Sequence, residues 1–458
     1  MKRMTFKKIL ESFFTYPAKA LEEGVEITER VESSLISKRP LLVAENYLNT
    51  LGPGLTTGAA DDDPSGIATY SQTGAQYGFG LIWLSLFSFP LMAIVQEMCA
   101  RIALVTGKGL AANIRTQYPV WMLYICTSLL FVANTFNLGA DLGAMAKVTQ
   151  LLAPRFDFGL LVLFFAVASL LLQIFTTYAR YAQYLKYLTM TLLAYVVTAG
   201  IIHMDWGQVL YHTVVPTLSF SKDELLLICA ILGTTISPYL FFWQTSQEVE
   251  EEILHGRTTV QSRRGATKEE ISQMRADVWT GMFFSNVVMF FIIAVCAATL
   301  AAYGVTNIAT ADQAAQALRP LAGEWAYLLF ALGILGTGML AVPVLAGSAS
   351  YAISESFGWK TGLYRKLNEA YSFYGVIIVA MFVGLALNFV HLDPIKALIY
   401  SAVANGLIAP IILIFIVLLG SNKKLMGAHV NSRLATTFGW ITTALMIIAG
   451  VAVLVTLI

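Results

Sequence analysis

The chain has 458 residues, of which 57% are hydrophobic and only 12% charged, and its mean hydropathy is +0.68. Soluble proteins carry about 25% charged residues, so this composition excludes an ordinary soluble domain and indicates an integral membrane protein. The formal net charge of +1 gives no reason to expect a nucleic acid partner. Four single cysteines in apolar stretches, with no CxxC pair, argue against a disulfide framework or a zinc site (Cys99, Cys126, Cys229, Cys296).

Residues 1–46 carry mixed charges and no apolar run that would form a signal peptide. We expect them to form a cytoplasmic N-terminal tail, either with an amphipathic helix at the membrane surface or without structure. Residues 47–458 are predicted to form a single transmembrane transporter domain.

Apolar runs of about 20 residues predict membrane-spanning helices. Eleven such runs follow one another along the chain: 49–75, 79–103, 119–146, 157–177, 184–203, 224–254, 275–302, 325–350, 371–391, 394–420 and 434–457. Lys and Arg concentrate between spans on one side, which the positive-inside rule assigns to the cytoplasm together with the N-terminus.

The first span contains three consecutive aspartates followed by a proline, Asp61-Asp62-Asp63-Pro64. One aspartate at the bilayer centre costs about 2.5–3.5 kcal/mol, so a triplet indicates a function rather than packing. Pro64 removes a helical hydrogen bond and Gly66 adds flexibility, so we expect the helix to break here. A broken helix with carboxylates at the break is typical of a cation site.

The sixth span contains a second proline in a similar context, Thr234-Thr-Ile-Ser237-Pro238. Two broken helices, each the first of five spans, predict an inverted repeat with the substrate site near the middle of the membrane. The first repeat would cover about 49–203 and the second about 224–420, followed by an extra helix at about 434–457.

The segments GPGLTTGAADDDPSGIATYSQTGAQYGFGLIW, VTGKGL, GTTISPYLFFWQTS and SNKKLMG resemble motifs of the Nramp family of divalent-metal transporters. The resemblance covers about residues 48–430. It implies an all-α, LeuT-type fold with five plus five spans and one extra helix, and transport by alternating access.

The resemblance also implies a set of site residues. Asp63 and Pro64 match the family's metal-binding Asp and its Pro, whereas Gly66 stands in place of a coordinating Asn and Ser237 in place of a coordinating Met. Thr234 replaces an Ala whose carbonyl can bind the metal. The candidate metal ligands are Asp63, Ala60, Ser237, Thr234, Gly66 and Asp62, but successive helical residues point about 100° apart, so at most two of the three aspartates should face one ion.

Several positions that resemble the family's proton pathway lack titratable groups. Asp141 matches a pathway Asp, but Asn134 and Ala144 replace glutamates, and Tyr239 and Gln244 replace histidines. Proton coupling is therefore in doubt. Asp61 and Asp62 are alternative proton carriers, because two neighbouring carboxylates do not ionise together easily. Three further residues are candidates for lining the site: Asn286, Asn405 and Tyr239.

Oxygen ligands without a thioether favour hard ions such as Mg²⁺ or Mn²⁺. The sequence therefore predicts a multi-pass divalent-cation transporter, monomeric and lying in the inner membrane of a bacterial-type cell, without a cofactor and without enzymatic activity. Two alternatives stay open: a carrier of another small solute that uses the aspartates for a coupling ion, and an Nramp-like membrane sensor that does not transport.

Overall fold

The computed structural model describes residues 52–306, 308, 311–390 and 394–457. The predicted tail at 1–46 lies outside these residues. The described residues form helices and contain no strand. The helices are α1 (Pro53–Asp61), α2 (Pro64–Tyr77), α3 (Trp83–Thr106), α4 (Leu110–Gln117), α5 (Val120–Leu152), α6 (Phe158–Phe175), α7 (Tyr178–Leu188), α8 (Leu193–Ile201), α9 (Trp206–Val214), α10 (Lys222–Thr235), α11 (Pro238–Leu254), α12 (Lys268–Thr299), α13 (Ala311–Phe357), α14 (Tyr371–Leu387), α15 (Pro394–Gly420), α16 (Lys423–Met426) and α17 (Arg433–Leu457).

Nine spans within the described residues are long and apolar enough to cross a membrane. The two other predicted spans are the broken first span, which is divided between α1 and α2, and α14, which has 17 residues. Some predicted bounds were wrong. The fifth span begins at Tyr178 rather than 184, because the polar, tyrosine-rich turn before 184 is helical, and the short helices α4, α9 and α16 were not predicted.

The outer faces of the helices are apolar. On α6, for example, Leu160 is 65% exposed, Phe164 62% and Phe175 74%. A row of large exposed apolar side chains would be unfavourable in water, whereas hydrocarbon accommodates it without cost. These faces support a position in the lipid bilayer.

Close contacts between glycines hold α1 against α12. A Cβ atom placed on Gly54 would lie 2.5 Å from the backbone nitrogen of Val278, and one on Gly58 would clash with the backbone of Gly281. Small residues four positions apart allow two helices to approach closely in a membrane. Asp277 of α12 then accepts hydrogen bonds from Gly52 N (2.8 Å) and Gly54 N (2.6 Å), which otherwise have no partner at the start of α1.

The second broken span is held in a similar way. α10 packs against α15, where a Cβ atom on Gly233 would meet the backbone of Ala402 and Gly406. α2 also packs against α15, and α3 packs against both α11 and α12. These contacts bring the two breaks into the interior of the helical bundle.

Candidate cation site

The first helix break lies where the sequence predicts it. α1 ends at Asp61 and α2 begins at Pro64, while Asp62 (φ −85°, ψ 48°) and Asp63 (φ −67°, ψ 169°) have non-helical backbone angles. Pro64 has no N–H to donate and suits the first position of a helix, so a new helix starts there. All three carboxylates are buried, with exposed fractions of 0%, 0% and 1%.

The three carboxylates differ in their hydrogen-bond partners. Asp61 Oδ2 accepts a hydrogen bond of 2.8 Å from Ser285 Oγ on α12. Neither oxygen of Asp62 has a hydrogen-bond partner within the described residues. Asp63 contacts α5. In the described part of the chain, no group of three or more His, Cys, Asp or Glu side chains is arranged to hold a metal ion, so the triplet does not form a chelate by itself.

Asp63 is held by three hydrogen-bond donors. Its Oδ1 accepts from Gly66 N at 2.7 Å and from Ser65 Oγ at 2.6 Å, which caps the start of α2. Its Oδ2 accepts from Asn137 Nδ2 at 2.7 Å, and Asn137 Oδ1 accepts from Ser401 Oγ at 2.5 Å. A carboxylate has about four acceptor positions. The network therefore orients Asp63 and leaves one position on Oδ2 for a cation.

The second helix break contains no charge. α10 ends at Thr235 and α11 begins at Pro238, again as predicted, and Ser237 between them is extended (φ −79°, ψ 131°). The Ser237 hydroxyl is 2.7 Å from the carbonyl oxygens of Gly233 and of Thr234, to which it donates its one hydrogen. The hydroxyl oxygen keeps its acceptor capacity, so Ser237 remains suitable as a ligand.

Tyr239 connects the two breaks. Its hydroxyl donates to the carbonyl oxygen of Ala60 at 2.8 Å, while its own carbonyl accepts from Ser348 Oγ at 2.7 Å. Tyr239, which stands in place of a histidine of the family, therefore occupies one lone pair of the Ala60 carbonyl, which is a predicted metal ligand. Because a carbonyl has two lone pairs, the other remains available to a cation.

Gly66 lies directly against the second break. A Cβ atom at Gly66 would be 3.1 Å from Thr234 Oγ1 and 3.2 Å from the Asp61 carbonyl oxygen. The Thr234 hydroxyl is buried and has no hydrogen-bond partner. Gly66 has no side chain that could bind a metal. Its small size allows the unpaired Thr234 hydroxyl of α10 to lie beside α2.

Asp141 lies one helical turn after Asn137 on α5. It is fully buried, neither carboxylate oxygen has a hydrogen-bond partner, and it interacts electrostatically with Asp63. The side chains at three other positions predicted for the proton pathway bond or pack elsewhere. Asn134 donates to Leu345 O at 3.1 Å, Gln244 donates to Glu248 at 2.8 Å, and Ala144 packs in a small apolar cluster.

The two predicted lining asparagines differ. Asn286 accepts from Ser88 Oγ at 2.9 Å and donates to Met282 O at 2.9 Å, so its amide joins α12 to α3. Asn405 on α15 is buried and its carbonyl oxygen has no hydrogen-bond partner. Asn405 is therefore the better candidate for a polar contact with substrate.

Three residues near the breaks were missed by sequence analysis: Asn137, Ser401 and Ser285. Asn137 carried a usable signal, because a polar residue four positions before Asp141 lies on the same face of a helix. The other two are ordinary hydroxyl residues in apolar spans, and only the tertiary contacts reveal them.

The family model described as natural resistance-associated macrophage protein-like (Nramp) matches residues 54–456. The chain belongs to the Nramp family. A divalent metal cation transporter MntH of Klebsiella pneumoniae is 26% identical over 410 residues, which cover 87% of this chain and 92% of the relative. Another protein of that name, from Erwinia tasmaniensis, is 27% identical and covers 91% of this chain and 95% of itself.

Solved structures show the same fold at lower identity. The manganese transporter of Eremococcus coleocola, in complex with an aromatic bis-isothiourea compound, is 18% identical with a TM-score of 0.70, covering 90% of this chain and 88% of its own. Mhp1, a nucleobase-cation-symport-1 family transporter in a closed conformation, is 17% identical with a TM-score of 0.55. The match covers 89% of this chain and 91% of Mhp1. These likenesses confirm the predicted all-α, LeuT-type membrane fold.

Proposed function

We propose that this Nramp family protein transports a divalent cation across the membrane by alternating access, with Asp63 as the central ligand. The observation that carries the proposal is the oriented carboxylate of Asp63 at the first helix break, which keeps a free acceptor position. The MntH relatives are named divalent metal cation transporters, which supports the same substrate class and gives no indication of an enzyme.

The candidate ligands favour a hard ion. Asp63, Thr234, Ser237 and the Ala60 carbonyl present oxygen atoms, and Ser237 stands where the family resemblance places a thioether. Oxygen ligands suit Mg²⁺ and Mn²⁺, whereas sulfur favours softer ions such as Cd²⁺. We therefore propose Mg²⁺ or Mn²⁺ as the substrate.

The test is cation uptake into proteoliposomes with a panel of Mg²⁺, Mn²⁺, Ca²⁺ and Cd²⁺. The expected result is saturable uptake of Mg²⁺ or Mn²⁺ that disappears in Asp63→Ala. Asp157→Ala is a matched control, because Asp157 also caps a helix, accepting from Leu160 N at 3.1 Å at the start of α6. Normal uptake by correctly inserted Asp63→Ala would contradict the assignment.

We further propose that cation flux is weakly coupled or uncoupled to protons. Asn134 and Gln244 donate to neighbouring groups, Ala144 has no polar atom and Tyr239 binds the Ala60 carbonyl, so these positions offer no relay of readily titrating side chains. Liposomes loaded with a pH-sensitive dye should therefore not acidify as the cation enters. Acidification that follows cation entry and vanishes in Asp63→Ala would overturn this proposal.

Asp61 and Asp62 support a second candidate, a carrier that uses these carboxylates for a coupling ion. Asp61 accepts from Ser285, which donates no hydrogen bond to Asp63, and Asp62 has no hydrogen-bond partner within the described residues, so either carboxylate is available to a coupling ion. If a proton or Na⁺ gradient drives uptake, Asp61→Asn or Asp62→Asn should remove that dependence while passive cation flux persists. Uptake that is unaffected by both gradients would leave uncoupled transport as the function.

A further inference from the structure

Two of the sequence motifs lie far from the helix breaks and meet at one cavity. The segment VTGKGL includes the end of α3, and SNKKLMG follows α15 and includes α16. Residues from both segments, together with Arg264 and Gly265 between α11 and α12, line a cavity of about 690 Å³. This volume lies in the range of about 300–1,000 Å³ that is typical of small-molecule sites.

The lining of the cavity is strongly basic. Its lining residues include the cationic Lys108, Arg264 and Lys424 and the imidazole residue His429, with no aspartate or glutamate among the described residues that line it. None of these four residues forms an ion pair with another residue that the structure describes. Unpaired cations around one concave surface repel each other and attract an anion.

The walls of the cavity are held in place by hydrogen bonds between loops. Gly265 N donates to Val105 O at 3.0 Å, and the guanidinium of Arg263 donates to Gly107 O at 3.2 Å. On the α4 side, Asn113 Nδ2 donates to Thr106 Oγ1 at 2.9 Å and to Lys108 O at 3.0 Å. These bonds hold the backbone that carries Lys108 and Arg264, so the cavity is preformed.

We propose that this cavity binds a phosphate-bearing anion, whether the headgroup of an acidic phospholipid or a small soluble phosphate. Phosphate oxygens accept several charge-assisted hydrogen bonds, which matches the Lys and Arg side chains and the polar donors of the lining. The excess of Lys and Arg between spans on one side predicts that this face is cytoplasmic, and basic pockets on that side of membrane proteins recognise anionic headgroups. This site is independent of the proposed cation site and does not rest on the transported ion.

The test is isothermal titration calorimetry on the full-length chain in a zwitterionic detergent, with inorganic pyrophosphate and dihexanoyl phosphatidic acid as probes. Dihexanoyl phosphatidylcholine is the neutral control. We expect saturable binding that weakens as salt is raised, because exposed charges are screened. Binding of both probes would identify the phosphate group as the ligand, binding of only phosphatidic acid a lipid headgroup, and binding of only pyrophosphate a soluble anion.

Variants of two adjacent lysines provide the control. Lys424 lines the cavity, whereas Lys423 before it does not. Lys424→Ala and Lys108→Ala should each weaken binding by about tenfold, as expected for losing a charge-assisted hydrogen bond, while Lys423→Ala should change it less than about twofold. Equal losses in Lys423→Ala and Lys424→Ala, or no saturable binding of either probe, would overturn the proposal. The thermal unfolding midpoint of each variant verifies that the chain remains folded.

Discussion

The two helix breaks use their side chains in different ways. At the first break, Asp61 and Asp63 accept hydrogen bonds from other helices, Asp61 from Ser285 and Asp63 from Asn137, and Asp63 also caps α2. At the second break, the Ser237 hydroxyl turns back and donates to the carbonyls at the end of α10. The first break carries acidic side chains that bond to other helices, whereas the second carries no charged side chain and its Ser237 hydroxyl bonds to carbonyls of α10.

This difference suggests separate roles in binding a cation. Charge supplies most of the attraction for a divalent ion, and the first break holds that charge in a fixed orientation. The second break contributes neutral oxygens, which discriminate between hard and soft ions without adding charge. Tyr239 bonds directly from one break to the other, through the Ala60 carbonyl. Substitutions at the two breaks should therefore affect different measurements.

The largest effect is expected at Asp63. Asp63→Asn keeps a side chain that caps helices well, so α2 should remain folded, but it removes the charge that attracts the cation. We expect cation uptake to fall by at least about a hundredfold, with the thermal unfolding midpoint changed by only a few degrees. Uptake assays and thermal scans on the same preparation measure the two quantities. Near-normal uptake would show that the charge of Asp63 is not what attracts the cation.

The second prediction concerns selectivity at the neutral break. Ser237→Met introduces a thioether at the second break and should raise the preference for Cd²⁺ over Mg²⁺ about tenfold or more. Ser237→Ala is the control, because it removes the hydroxyl without adding sulfur. Competitive uptake of the two ions gives the ratio. A strong Cd²⁺ preference in the unsubstituted protein would mean that hydroxyl oxygen does not set the selectivity.

The third prediction concerns the bond between the breaks. Tyr239→Phe leaves the buried Ala60 carbonyl without its donor, which costs about 1–3 kcal/mol in the free energy of unfolding when no cation is bound. A bound cation would satisfy that carbonyl, so the stabilisation by Mn²⁺ should increase. Thermal unfolding with and without Mn²⁺ checks this. Tyr181→Phe, which alters a buried tyrosine packed against Trp243, should leave the Mn²⁺ response unchanged.

Much of this architecture could be predicted from the sequence, because hydrophobic length and proline position are local signals. The bounds of both breaks, at Pro64 and at Pro238, follow from the missing backbone N–H of proline. The early start of the fifth span at Tyr178 was missed, since a polar amphipathic turn is not distinguished from a loop by apolar runs alone. The short helices between spans were missed for the same reason.

The candidate site was harder to predict than the fold. Sequence analysis identified Asp63 but not its long-range donor, because Asn137 is 74 residues away and reaches Asp63 only through helix packing. Ser401 was missed for the same reason, since it donates to Asn137 from another helix. The argument that at most two of three successive aspartates can face one ion stays a prediction. The role of Tyr239 could not be foreseen, since the resemblance shows which side chain is replaced but not what the replacement contacts.

The smallest effect is expected where the two breaks touch. Gly66→Asn would restore the side chain that the family resemblance places there, but its Cβ atom would lie 3.1 Å from Thr234 Oγ1, which is tighter than ordinary contact. We expect the single variant to unfold a few degrees earlier and to change the apparent affinity for Mn²⁺ by less than about threefold.

The double variant Gly66→Asn with Thr234→Ala separates crowding from coordination. Thr234→Ala removes the hydroxyl that the new side chain meets and returns an alanine to the position where the family resemblance expects one. If crowding causes the loss of stability, the double-mutant cycle should show a favourable coupling of about 1 kcal/mol. The new amide then provides an oxygen ligand, and affinity for Mn²⁺ should exceed that of Thr234→Ala alone. If the effects of the two substitutions on stability are simply additive, the side chains at 66 and 234 do not interact. The two breaks would then act on the cation without contacting each other at these two positions.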